Sequence, residues 1–70
     1  MRIEKGMHGQ WKVYVEGRVE HIGVVVKLIE LVGGGYRGYG AGWNASKEHY
    51  PTKEAAGYQL EKDWNAKQNH

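Results

Sequence analysis

The stretch Tyr50-Pro51-Thr52-Lys53-Glu54-Ala55-Ala56, with the run to Trp64 behind it, constrains this chain most. Pro51 fixes its own φ and biases Tyr50 toward extended backbone, so the chain reaches this point as strand or loop. Thr52 is suited to be an N-cap, its hydroxyl accepting from an otherwise unpaired amide of the first turn. Glu54 places negative charge in that turn, where the helix dipole favours it. Ala56, Leu60 and Trp64 recur every four residues and form one stripe, with Tyr58, Glu61 and Lys62 opposite. Gly57 weakens such a helix by about 1 kcal/mol relative to Ala unless close packing needs the missing side chain. A stripe this narrow makes the helix dependent on tertiary contact.

What the helix packs on is read from the residues before it. Trp11, Val13 and Val15 alternate with Lys12, Tyr14 and Glu16, the period of a half-buried strand. Glu16-Gly17-Arg18 is a turn candidate. Ile22, Val24, Val26 and Leu28 alternate in a second, apolar strand, and apolar residues on both of its faces make it central. Its second half is ambiguous: Val25, Leu28, Ile29 and Val32 also fit helical spacing, with Gly33 as a cap, so Val24 to Val32 is open between strand and helix. Arg37, Tyr39, Ala41 and Trp43 alternate with Tyr36, Gly38, Gly40 and Gly42, a third strand with one nearly bare face. Glycine inside a strand marks a close approach by something else. Arg2 to Lys5 is an optional short edge strand, and Gly6 and Gly9 mark a bend after it. The expected fold is α+β, a three-stranded antiparallel meander with one C-terminal helix on one face. In it Trp11, Val13, Val15, Ile22, Val24, Val26 and Leu28 meet Ala56, Leu60 and Trp64.

Seventy residues allow a single domain, 1–70, with 1–9 and 67–70 as poorly ordered ends. There is no cysteine, which excludes disulfides, thiolate zinc sites and a thiol nucleophile. Met1 to Gly6 lacks the apolar core of a signal peptide, and the longest apolar run, Ile22 to Val32, is too short to span a bilayer. A cytoplasmic protein with no membrane association is expected.

Chemical motifs are weak. Gly33-Gly34-Gly35-Tyr36-Arg37-Gly38 matches G-x-G-x-x-G, but a strand follows it where the dinucleotide reading needs a helix, so a flexible hairpin connection is expected. His8, His21, His49 and His70 have no metal-ligand spacing. Ser46 is the one serine and has no nucleophile elbow around it. Asn44-Ala45-Ser46 is a glycosylation sequon without a secretory context. No catalytic residue, metal or cofactor is expected, and the chain reads as non-enzymatic.

One constellation remains. If Trp11, Val13 and Val15 face the helix, Lys12 and Tyr14 face away, and Lys27, Arg37 and Tyr39 are placed with them. Interleaved basic and aromatic side chains on an exposed sheet grip phosphate and stack against bases. Ten basic against eight acidic side chains is a modest excess, which fits a plain solvated face equally. Exposed Val25 and Ile29 on that face would suit a protein partner.

Gln10-Trp11-Lys12-Val13-Tyr14-Val15, a glycine turn, two further strands and then Tyr50-Pro51-Thr52-Lys53-Glu54-Ala55-Ala56 resemble the arm-type DNA-binding domain of phage tyrosine integrases. That family enters its helix through aromatic-x-Thr-Lys-x-Glu-Ala; here Glu54 comes one position early. The resemblance implies a sheet that enters the DNA major groove, with Lys12, Tyr14 and Arg37 facing it. The same pattern resembles small phage-encoded proteins that bind and inhibit host proteins. The expected function is therefore a small nucleic-acid-binding module, DNA-binding in the resemblance. The alternative is a protein-interaction module, such as an inhibitor of a host protein or a homodimerising adaptor.

Overall fold

A computed structural model of the chain describes residues 1–45 and 48–68. Ser46 of the sequon and His70 lie outside the described residues. The fold is α+β: a four-stranded antiparallel sheet with one C-terminal helix against one face. The strands are β1 (Arg2–Lys5), β2 (Gln10–Tyr14), β3 (Gly23–Lys27) and β4 (Tyr36–Gly40), in the order β1-β2-β3-β4, and α1 spans Lys53–Gln68.

The fourth strand corrects the three-stranded expectation. Arg2–Lys5 has a single apolar residue, too little for its alternation to be read. In the sheet Ile3 lies opposite Val13, and its side chain reaches the helix under Gly57. Met7-His8-Gly9-Gln10 joins β1 to β2, with Gln10 N–H donating to the Met7 carbonyl at 3.2 Å. His8 and Gly9 both have positive φ, 57° and 70°, as a tight hairpin turn requires. At the other end of β2, Arg18 N–H donates to the Val15 carbonyl across the Gly17 turn.

The helix begins as its sequence indicates. Thr52 Oγ1 accepts from Ala55 N–H at 3.1 Å, and the Thr52 carbonyl accepts from Ala56 N–H. Before it, Tyr50 exchanges two backbone hydrogen bonds with Tyr36, 2.7 and 2.8 Å, extending the sheet by one bridge beyond β4. Tyr50 is thus extended, as Pro51 demands.

The core is Val13, Ile22, Val25, Ala56 and Leu60. Leu60 sits on bare backbone. A Cβ on Gly38 would lie 2.7 Å from Leu60 Cγ, and one on Gly23 would lie 3.2 Å from both Leu60 methyls. Of the bare positions on the third pattern strand, Gly38 therefore admits the helix and Gly40 admits Trp43. Gly57 plays the same part from the other side: a Cβ there would stand 2.9 Å from Ile3 Cδ1. Trp43 closes one end, donating its Nε1–H to the Ile22 carbonyl at 2.7 Å and tilting against Trp64 at 5.7 Å. Trp11 and Tyr36 close the other in an edge-to-face pair at 5.7 Å.

The phase of β3 differs from the sequence pattern. Val25 faces the helix, and Val24 and Val26 face away. The cause lies at the strand's start. Val13 is opposite Gly23 in register, yet its carbonyl accepts from Ile22 N–H at 2.8 Å. Two residues thus oppose one, which is the geometry of a bulge, and everything after Ile22 shifts by one position. The strand ends at Lys27, and Glu30–Val32 forms a short 3-10 turn closed by Gly33 at φ 101°. The ambiguous second half of the run is therefore neither a long strand nor an α-helix.

Replacing Leu60 by Ala is expected to lower the unfolding free energy by about 2–5 kcal/mol. Gly38→Ala alone is expected to cost ~1–3 kcal/mol by overpacking. In the Leu60→Ala background the added methyl occupies vacated space, so its cost should vanish or reverse. Urea denaturation of the two single variants and the double variant measures this coupling.

Candidate nucleic-acid interface

Alternation along each strand and the register between strands define the face that the helix leaves uncovered. One row crosses all four strands: Glu4, Lys12, Val24 and Tyr39. A second row is Gln10, Val26 and Arg37. Arg2 and Tyr14 stand opposite each other at its corner. Four of the five residues that the sequence groups together are therefore on one face: Lys12, Tyr14, Arg37 and Tyr39.

Lys27 is the exception. It is two residues beyond Val25 and opposite Tyr36, which packs against the core. It therefore stands on the helix side, at the exposed end of β3. The bulge at Ile22 and Gly23 explains the difference, because a shift of one residue exchanges the two faces of a strand. The same shift buries Val25 completely and removes it from the open face. Ile29, 64% exposed, follows the end of β3 and is not on the sheet at all.

Arg2, which the sequence pattern does not mark, stands on this face as well. Its guanidinium carbon lies 4.4 Å from the Tyr14 ring centroid, and its Nε contacts the Glu4 carboxylate at 2.6 Å. Its signal was the even spacing of Arg2 and Glu4, visible only once β1 is counted as a strand. Glu4 is the one acid on the face and is engaged by Arg2, so Lys12 opposite it makes no salt bridge among the described residues. Arg37 repeats the Arg2 arrangement on the far strand, 4.9 Å from the Tyr39 ring centroid. Its Nε is buried and has no hydrogen-bond partner among the described residues. Beside Arg37 and Tyr39 a hollow of about 310 Å³ opens toward Trp43 and Asn44.

The face thus carries Arg2, Lys12 and Arg37 against one carboxylate, with two tyrosines at its margins and Val24 and Val26 at its centre. Among the described residues no group of three His, Asp or Glu side chains could hold a metal ion. No helix among them is long and apolar enough to cross a membrane. Comparison with family models, with curated proteins and with solved structures finds no match.

A buried donor without an acceptor contributes nothing to folding and carries its desolvation cost. Arg37→Met, which keeps the stem and removes the donor, should therefore leave stability unchanged or raise it by up to about 1 kcal/mol. Urea denaturation monitored by tryptophan fluorescence checks this, and a loss of several kcal/mol would show that Arg37 is structural.

Proposed function

We propose that the chain is a non-enzymatic nucleic-acid-binding module that holds a single strand across the open face of its sheet. The observation that carries this reading is Arg37, a guanidinium held over Tyr39 on that face with no anionic partner among the described residues. Its Nε is buried, so a phosphate would meet the outer guanidinium nitrogens, through charge-assisted hydrogen bonds. Lys12 and Arg2 add positive charge along the same face. Tyr39, 41% exposed, offers ring surface for a base. Stacking on aromatic side chains tolerates any base, because every base has a π-face.

Width favours a single strand over a duplex. Four strands at ~4.8 Å spacing extend about 14 Å between their outer backbones, before side chains are added. The major groove is ~12 Å wide and admits a helix or a two-stranded ribbon. A single strand laid across a flat sheet meets no such limit. The resemblance to integrase arm-type domains points to the same face with a different mode of docking.

Val24 and Val26 favour a second reading, a protein-docking surface, since apolar side chains at the middle of an open face suit a protein partner. Salt separates the two readings. In fluorescence anisotropy with a labelled oligonucleotide, log K should fall with log salt at a slope of about −2, roughly 0.7 for each of Arg2, Lys12 and Arg37. Arg37→Ala should reduce that slope by ~0.7. Tyr39→Ala should cost about 1–3 kcal/mol of affinity, the range for one stacked base. Lys27→Ala, on the helix side, should change affinity least. Absent or salt-independent binding would overturn the nucleic-acid reading.

A further inference from the structure

The two edges of this sheet are not equivalent. At β4 the Tyr36–Tyr50 bridge occupies the start of the edge, and Gly38 is buried. At β1 the edge is open. The Val13 carbonyl turns toward Ile22 on the β3 side, so the Ile3–Val13 pair is not hydrogen-bonded. Backbone direction alternates along an antiparallel strand, so Arg2 and Glu4 bond to β2 while the amides and carbonyls of Ile3 and Lys5 point outward. Among the described residues no backbone group bonds to them.

We infer that β1 pairs with β1 of a second copy of this chain, antiparallel about a twofold axis at Ile3, to form a continuous eight-stranded sheet. Three observations select this occupant and this register. First, a sheet with one open edge cannot propagate, so self-association through that edge closes at a dimer. Second, outward-bonding residues must meet outward-bonding residues, which limits the pairing to Ile3 opposite Ile3, Ile3 opposite Lys5, or Lys5 opposite Lys5. Third, charge decides among these three. The Ile3-centred register sets Arg2 opposite Glu4 of the other copy, twice. The second sets Glu4 against Glu4, and the third sets Lys5 against Lys5. Opposite charges across a strand pair attract and like charges repel.

The axis is perpendicular to the sheet, so both helices fall on one side and both open faces on the other. Two sets of Arg2, Lys12 and Arg37 are then joined on one surface. The inference rests on the edge and its charges, and stands whatever that surface binds. The contact is short, well under the ~1,200 Å² of a standard stable interface, so the dimer is weak and concentration-dependent.

Sedimentation equilibrium of the full chain over a wide concentration range tests it. A reversible monomer–dimer equilibrium that weakens with salt is expected. Glu4→Arg should weaken the dimer roughly tenfold or more by facing arginine with arginine. The double variant Arg2→Glu with Glu4→Arg restores opposite charges and should restore the dimer. Lys5→Pro removes an outward amide while leaving the bonds to β2 intact, and should also give monomer; circular dichroism confirms that each variant is folded. In a mixed isotope-labelled sample, a contact between Arg2 Hα of one copy and Glu4 Hα of the other reports the register directly. A chain that stays monomeric at every concentration would overturn the inference. So would a dimer indifferent to Glu4→Arg and Lys5→Pro.

Discussion

Leu60 sits directly on bare backbone at Gly38, and this contact holds helix and sheet together. Gly38 presents no side chain beneath it, and Leu60 fills the space where its Cβ would stand; at Gly23 the Tyr39 carbonyl oxygen takes that space, with the Leu60 methyls next at 3.2 Å. Gly57 removes the corresponding obstacle on the helix, so Ile3 of the edge strand reaches the same interface. A chain of 70 residues has little apolar surface to bury, and close approach lets a core of five residues suffice. The cost is glycine in three regular elements, each less favourable than alanine by about 0.5–1 kcal/mol. That cost is offset at Gly38, where a Cβ would stand 2.7 Å from Leu60 Cγ and force the helix residue aside.

The same contact decides which side chains the sheet turns to its open face. Gly23 must lie under Leu60, so Val25 follows it inward and Val24 and Val26 turn outward. Gly38 must lie under Leu60, so Arg37 and Tyr39 on either side of it turn outward as well. The open face is therefore the complement of the glycine face, and its composition follows from where the helix sits. Each of its tyrosines already carries an arginine of the same sheet near its ring, at 4.4 and 4.9 Å. The cations are thereby held over the face instead of extending into solvent, which reduces the side-chain entropy lost when an anion binds.

Tyr50 links the two layers. Its backbone bridges to Tyr36 at the edge of β4, and two residues later Thr52 caps α1. The connection between sheet and helix thus covers part of one sheet edge and sets the helix's point of departure. Gly35 makes room for it, with φ 76° and a Cβ position 2.7 Å from the Tyr50 carbonyl. The opposite edge has no such cover, and the sheet is asymmetric as a result.

The local events follow from the order of residues alone. Pro51 and Thr52 are sufficient to place the start of α1, because φ restriction and capping act within a few residues. The alternation from Trp11 to Val15 is sufficient to orient β2, and Gly17 to turn the chain after it. The glycines near Tyr36 announce a close approach, and Gly57 announces one too. Strand phase and edge pairing depend instead on contacts between distant parts of the chain. Val24, Val25 and Val26 are equally apolar, so their pattern contains no phase; a bulge at Ile22 and Gly23 sets it, and with it the placement of Lys27 and Val25. Arg2–Lys5 has one apolar residue, and becomes a strand because Val13 and Gly57 receive Ile3. The grouping of Lys12, Tyr14, Arg37 and Tyr39 was legible because β2 and β4 each alternate cleanly. Arg2 was not, because its place on the face depends on a strand that exists only through long-range pairing.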